Sequence, residues 1–237
     1  MHTTMFFRQQ EEGLQIFVKG WELYQEIIAQ NYMNHREVIV AVKEATSGVK
    51  NPRLLEVGCG DAYVVSQAFA DRDRISYTGV DMSSHALEYA RRNLEREGWE
   101  LDLRVGNMFD IVPQLDKQFD IVLAGYSLHH FGADRKEILL KRIRQLLAQN
   151  GILIVYDIFR RETESREEYL ERILAYFREH WTRMTATQME EIHEHVRGND
   201  YPETLESMKS LGARAGFESF AVPYREENEF YGLTTLS

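Results

Sequence analysis

Three histidines stand where this sequence could perform acid–base chemistry. His129 and His130 follow an apolar run, and His195 lies much further along in a helical segment. A neutral imidazole with a pKa of about 6.5 can take a proton from a hydroxyl or an amine near neutral pH. Packing and loop hydrogen bonding explain such histidines at least as well. We therefore hypothesise that one of the three is a general base or orients an acceptor, and that Tyr126, just before the pair, lines the same site.

The segment around His195 is acidic and helical by its period. In TQMEEIHEHVRGND, Glu191 and His195 share one helical face, whereas Glu190 and Glu194 share another. We predict that one pair points into the site while the other faces water, and that Asp200 joins His195 as an acid–base pair or a substrate anchor. The zincin spacing HExxH is absent from the sequence, and acidic helix faces are usually solvated. No metal site is therefore predicted.

A loop with two glycines follows the first predicted strand. In LLEVGCGDA, Gly58 and Gly60 allow a tight turn, and the helix that follows offers unpaired backbone amides to a ligand. Cys59, between them, is predicted to pack rather than to react, because no positive neighbour in the sequence lowers its pKa. A dinucleotide fingerprint would need a third glycine where Tyr63 stands, which disfavours a nicotinamide cofactor.

Polar residues also follow the next two predicted strands. Asp81, in GVDMS, could accept hydrogen bonds from both hydroxyls of a ribose. Asn107, in VGNM, could accept through its amide oxygen. Met82 and Met108, each next to one of these residues, could pack on the faces of a flat ring. Strand ends of a parallel sheet meet at one edge, so these residues predict a single ligand site.

Four segments in this order resemble the motifs of one family. LLEVGCGDA, GVDMS, VGNM and FDIVLAGYSLHHF are similar to those of the class I S-adenosylmethionine-dependent methyltransferases, over about residues 53–158. Ala62 replaces the third glycine of the family's first motif. The resemblance implies S-adenosyl-L-methionine as the cofactor, bound by Glu56, Gly58, Cys59, Gly60, Asp81, Met82, Asn107 and Met108.

The resemblance also implies direct methyl transfer to an oxygen or a nitrogen of a small molecule. The Asn/Asp-Pro-Pro-Tyr signature of exocyclic-amine nucleic-acid methylation is missing after the fourth strand, where AGYSLHH stands, and a net charge of −10 disfavours nucleic acid. Two alternatives stay open. One is a non-catalytic or regulatory protein that binds S-adenosylmethionine, and the other is a tRNA or protein methyltransferase.

Apolar runs that alternate with amphipathic segments predict the elements that position these residues. We predict an α/β fold, a doubly wound and mostly parallel seven-stranded sheet whose last strand is antiparallel. Strands are expected at 54–57, 76–80, 101–105, 119–124, 152–158, 218–224 and 229–236, and core helices at 63–70, 84–97 and 135–149. Asp134 is expected to cap the last of these helices, and Asn150-Gly151 to end it.

The excess of helix outside this sheet suggests a division of the chain. We predict an N-terminal helical cap over residues 1–50, the Rossmann-like cofactor-binding core over 51–160, a helical lid over 161–200, and a C-terminal helix with the final strand pair over 201–237. The cap helices are expected to break near residues 31–34.

The composition also predicts the cellular environment of the protein. The 237 residues contain a single cysteine, which predicts a reducing and cytoplasmic environment without a disulfide. The apolar runs are too short for a membrane span of about 20 residues. The oligomeric state is not predicted.

Overall fold

Seven strands form one sheet in the computed structural model, which describes residues 20–237. The strand order is β3-β2-β1-β4-β5-β7-β6. The strands are β1 (Arg53–Val57), β2 (Ile75–Asp81), β3 (Trp99–Val105), β4 (Phe119–Gly125), β5 (Leu147–Ile158), β6 (Phe220–Arg225) and β7 (Tyr231–Leu236). Strands β1 to β5 pair in parallel, and β7 is antiparallel to both of its neighbours. The predicted sheet, including its antiparallel last strand, is confirmed.

Helices cover both faces of this sheet and its carboxyl end. They are α1 (Trp21–Ala29), α2 (His35–Ala45), α3 (Tyr63–Ala68), α4 (Ser84–Leu94), α5 (Met108–Ile111), α6 (Ala133–Leu146), α7 (Arg166–His180), α8 (Ala186–Asn199) and α9 (Leu205–Ala215). The predicted break between α1 and α2 is confirmed, and Asn31 and Asn34 have positive φ there. Residues 1–19 of the predicted N-terminal cap lie outside the described residues.

The prediction for the end of α6 was wrong. The helix ends at Leu146, and Asn150 and Gly151 lie within β5 instead of terminating the helix. Its N-cap is Gly132, so Asp134 lies in the first turn and does not cap it. Pairing with β4 overrides the helical pattern here: Leu147 pairs with Phe119, and a Cβ on Gly151 would lie 2.9 Å from the Phe119 carbonyl oxygen.

The helices α1, α7 and α8 share an apolar cluster beyond the end of β5. Ile27 of α1, Phe177 of α7 and Ile192 of α8 pack there with Ile158 at the strand end. Capping boxes start both inserted helices, at Ser165 for α7 and at Thr185 for α8, which the paired Ser/Thr and Glu/Gln residues favour. The inserted helices therefore lie over the edge where parallel sheets bind ligands, and their role as a lid stays a prediction.

Within residues 20–237, no helix is both long enough and apolar enough to cross a membrane.

Candidate active site

One cavity opens at the carboxyl ends of the parallel strands. Every residue that the sequence predicted for the site lines it: Glu56, Gly58, Cys59, Gly60, Asp81, Met82, Asn107, Met108, Tyr126, His129, His130 and His195. Glu191 lines it as well, and so does Asp200. The carboxyl-end rule for open α/β sheets explains this convergence, because most of these residues directly follow β1, β2, β3 or β4. Their individual roles stay predictions.

The loop after β1 needs glycine at its first turn. Gly58 has φ of +67°, and a Cβ there would lie 2.6 Å from the Cβ of Ser127. Gly60 has φ of 52°, and its amide donates to Asp81 at 2.9 Å. Ala62, where the family has a third glycine, also has a left-handed backbone with φ of 54°. The loop therefore has the conformation that glycines permit, and it leaves room for a ligand close to the backbone.

Asp81 and Asn107 present acceptor oxygens to this part of the cavity. The two carboxylate oxygens of Asp81 accept from the amides of Ser83 at 2.8 Å and Gly60 at 2.9 Å. Each oxygen retains a lone pair, so a ribose diol fits beside it. The amide oxygen of Asn107 accepts from Phe109 at 2.9 Å, so an adenine amino group would share that oxygen. These acceptor oxygens and the open glycine loop suit an adenosine.

Glu56 lies under the cavity floor and is only 2% exposed. Hydroxyl groups donate to its carboxyl from Tyr77 at 2.7 Å and from Tyr156 at 3.1 Å. Burial raises the pKa of Glu56 to about 8, with smaller contributions from the nearby charges of Asp61 and Asp81. Glu56 is therefore largely protonated at neutral pH.

Cys59 is buried beside this carboxyl. Burial first, and then the charges of Asp81 and Glu56, raise the pKa of the Cys59 thiol. A nucleophilic cysteine needs the opposite shift, so the geometry favours packing, as the sequence predicted.

Tyr126 sits where the cofactor side of the cavity meets its other half. Its backbone is left-handed, with φ of 44°, which is costly for a residue with a large side chain. Its hydroxyl donates to the carbonyl oxygen of Met33, in the loop between α1 and α2. Its ring lies 5.2 Å from the ring of His35 and 5.4 Å from that of Tyr156. Tyr126 is thus a rigid wall that joins the sheet to the N-terminal helices.

A buried polar cluster forms the opposite end of the cavity. We define the histidine cluster as His129, His130, His195, Asp157 and Asp200. Asp200 lies at its centre: its Oδ1 is 3.7 Å from His129 Nε2, 3.6 Å from His130 Nδ1 and 3.9 Å from His195 Nε2. The Nδ1 of His129 bonds Asp157, at the end of β5. The loop after β4, the end of β5 and the end of α8 thus meet at one point.

Burial and neighbouring charges shift the pKa values of the cluster's side chains in different directions. Burial lowers the pKa of His129, but the charges of Asp157 and Asp200 outweigh it, so the net shift is upward. Burial and the neighbouring His129 lower the pKa of His195 to about 4, and the same causes, together with His195, lower that of His130. Burial raises the pKa of Asp200 to about 6. At neutral pH the cluster therefore combines a carboxylate, neutral imidazoles and one imidazole that favours a positive charge.

Comparisons with known proteins agree with this geometry. Residues 55–153 match a methyltransferase domain. A ubiquinone biosynthesis O-methyltransferase of Actinobacillus pleuropneumoniae serotype 5b (strain L20) is 28% identical over 123 residues, which cover 50% of this chain and 51% of that protein. A fatty-acid O-methyltransferase of Mycolicibacterium smegmatis (strain ATCC 700084 / mc(2)155) is 31% identical over 113 residues, covering 48% of this chain and 39% of that protein.

A solved structure of a DhpI–SAH complex matches the whole fold, with a TM-score of 0.66 and 18% identity, over 96% of this chain and 95% of that one. Residues 55–153 thus contain a methyltransferase domain, and the chain as a whole has the class I methyltransferase fold. The aligned part of the chain spans 51% and 39% of the lengths of these two curated methyltransferases. The cofactor is therefore S-adenosylmethionine, and the cavity at the strand ends is its candidate site.

Sequence reasoning missed Asp157. The residue is 2% exposed and fixes the ring of His129. A signal was present, because Asp157 lies at the carboxyl end of its strand, as Asp81 does. Trp181, from the turn after α7, was also missed as a wall of the cavity.

Proposed function

We propose that this chain is an enzyme that transfers a methyl group from S-adenosylmethionine to an oxygen or nitrogen atom of a small molecule. One observation carries the proposal: a single cavity joins the glycine loop and Asp81 at one end to the histidine cluster at the other. The two ends suit the two reactants of a direct transfer. The named O-methyltransferases among the relatives support an oxygen acceptor.

The cofactor end orients one reactant. S-adenosylmethionine supplies, when bound, an electrophilic methyl group on a positively charged sulfur. Asp81 would hold the ribose, Met108 and Met82 would pack on the adenine, and the loop at Gly58 would lie under the amino-acid part. Tyr126, fixed by its bond to Met33, would line the path of the methyl group. Such positioning supplies much of the rate of a reaction that needs no covalent intermediate.

The acceptor end is mainly apolar, and its polar groups are the histidine cluster together with Glu191 and Asn199 of α8. Ile27, Phe177, Trp181 and Ile192 form its walls, from α1, from α7 and the turn after it, and from α8. These helices surround the space, which favours a small molecule over a nucleic acid or a protein. An apolar chamber with one buried polar end would bind a largely apolar acceptor with its hydroxyl at the cluster.

We assign the removal of the acceptor's proton to the histidine cluster. As the acceptor oxygen bonds to the methyl carbon, its O–H bond would break and the cluster would take up the proton. Bound S-adenosylmethionine would supply the methyl group and leave as a neutral thioether. The neutral imidazoles and the Asp200 carboxylate are the groups that can take up this proton. The proximity of these five side chains supports the histidine base predicted from the sequence.

Replacement of Asp81 by alanine tests the cofactor end. We expect S-adenosylhomocysteine to bind about 1.5–3 kcal/mol more weakly, the usual contribution of hydrogen bonds to a charged group. Isothermal titration calorimetry measures this loss. Glu88→Ala, an exposed change on the neighbouring α4, is the matched control and should bind as the wild type does. Equal affinity of a folded Asp81→Ala variant would contradict the assignment.

A further inference from the structure

Three side chains of the histidine cluster direct nitrogen or oxygen atoms that can bind a cation toward one another. Because His129 uses Nδ1 to bond Asp157, its Nε2 faces Asp200 Oδ1, at 3.7 Å. The Nδ1 of His130 faces the same oxygen at 3.6 Å. Imidazole nitrogens and a carboxylate oxygen attract a positive charge placed between them.

Asp200 provides a second, independent observation. Its side chain is 7% exposed, yet its Oδ1 has no hydrogen-bond partner within residues 20–237. A buried carboxylate oxygen without a partner is costly, so a ligand that satisfies it would stabilise the folded protein.

We propose that His129, His130 and Asp200 form a binding site for a first-row divalent cation at the acceptor end of the cavity. Their ligand atoms lie within 4.8 Å of one another. Metal–ligand bonds of about 2.0–2.1 Å place tetrahedral ligand atoms roughly 3.3–3.5 Å apart, so the two distances to Asp200 need only a small contraction. Two histidines and one carboxylate leave coordination positions open, which is typical of a catalytic rather than a structural site.

The surrounding groups are those that a metal site requires. Asp157 accepts from His129 Nδ1, which is the carboxylate–histidine arrangement that fixes the ring of a metal ligand. A hydrogen bond with the backbone of Asn199 holds the ring of His130. The mixed nitrogen and oxygen donors favour Zn²⁺, Fe²⁺ or Co²⁺ over Mg²⁺ and Ca²⁺, which prefer oxygen.

A cation at this site would restrict the chemical class of the methyl acceptor. This extension rests on the proposed function. An open coordination position beside the apolar walls fits a phenolic or enolic oxygen, because a divalent cation lowers the pKa of a hydroxyl that it binds. The proton of that hydroxyl would pass to His195, which lies outside the three ligands but 3.9 Å from Asp200. An oxygen acceptor is thus favoured over an amine.

Metal binding by the chelator-treated full chain tests the proposal. Titration with Co²⁺ should give a visible absorption band whose intensity saturates at one equivalent of Co²⁺, and added Zn²⁺ should abolish the band by competition. Calorimetry with Zn²⁺ should give the same stoichiometry. Asp200→Asn and His130→Asn should each weaken binding at least 10-fold, with melting temperatures recorded to verify folding. His85→Asn, an exposed histidine on α4, is the matched control and should bind normally.

Two results would overturn the metal site. One is a wild-type chain that binds neither ion at millimolar concentration, and the other is binding that is unchanged in both folded ligand variants. Calorimetry with S-adenosylhomocysteine separates this failure from that of the proposed function. A chain that binds the nucleoside but no metal keeps the methyltransferase proposal, whereas one that binds metal but no nucleoside loses it.

Discussion

Asp200→Asn is expected to lower kcat by about 10²- to 10⁴-fold while leaving the affinity for S-adenosylhomocysteine unchanged. The carboxylate is the common neighbour of three histidines, and its loss removes the centre of the unit that takes up the acceptor's proton. The substitution keeps the shape of the side chain and removes its charge. Turnover with any acceptor that the wild type methylates, together with calorimetry, measures the two quantities separately.

A matched change on the same stretch of chain controls for indirect effects. Glu194→Gln alters an exposed carboxylate of α8 that does not line the cavity, and it should leave kcat unchanged. A packing role for Asp200 would lower the melting temperature and leave the rate per folded molecule nearly intact. Near-normal kcat in folded Asp200→Asn would therefore show that the enzyme acts through proximity alone.

Glu56→Gln is expected to change how stability depends on pH. The folded state holds the proton of Glu56 up to a pKa of about 8, whereas the unfolded chain releases it near 4.5. The folded state therefore binds more protons across this window, and the wild type loses stability as the pH rises through it. A shift of this size corresponds to about 3–5 kcal/mol between pH 5 and pH 9.

Glutamine keeps the contacts of the neutral acid and has no such titration. Tyr77 and Tyr156 donate to different carboxyl oxygens, so in the variant one hydroxyl can donate to the amide oxygen and the other can accept from the amide nitrogen. The repulsion from Asp61 and Asp81 disappears. Urea unfolding of both proteins at pH 5, 7 and 9 should show that the unfolding free energy of the variant rises relative to that of the wild type as the pH increases. A difference in unfolding free energy that stays constant from pH 5 to pH 9 would mean that Glu56 is ionised in the folded protein at neutral pH.

Local sequence patterns were sufficient to predict which residues line the cofactor end of the cavity. Gly58, Asp81 and Asn107 follow consecutive strands, and the geometry of a parallel sheet brings such residues to one edge whatever the rest of the chain does. Where pairing between strands competes with a helical period, the pattern was misleading. Residues 147–149 continue the helical period of α6, but they lie in β5, where Leu147 pairs with Phe119 of β4.

The acceptor end could not be predicted in the same way. Sequence reasoning paired His195 with Asp200, but the approach of both to His130 depends on how α8 packs over the end of β5. No pattern within one segment encodes that packing. For the same reason, no contiguous sequence motif marks His129, His130 and Asp200, because they come from two distant segments.

A structure of the full chain bound to S-adenosylhomocysteine tests the central claim most directly. We expect the ribose to contact Asp81, the adenine to lie against Met108, and the sulfur to face Tyr126 and the histidine cluster across the acceptor chamber. A nucleoside bound outside this cavity, or a sulfur turned away from the cluster, would contradict the account.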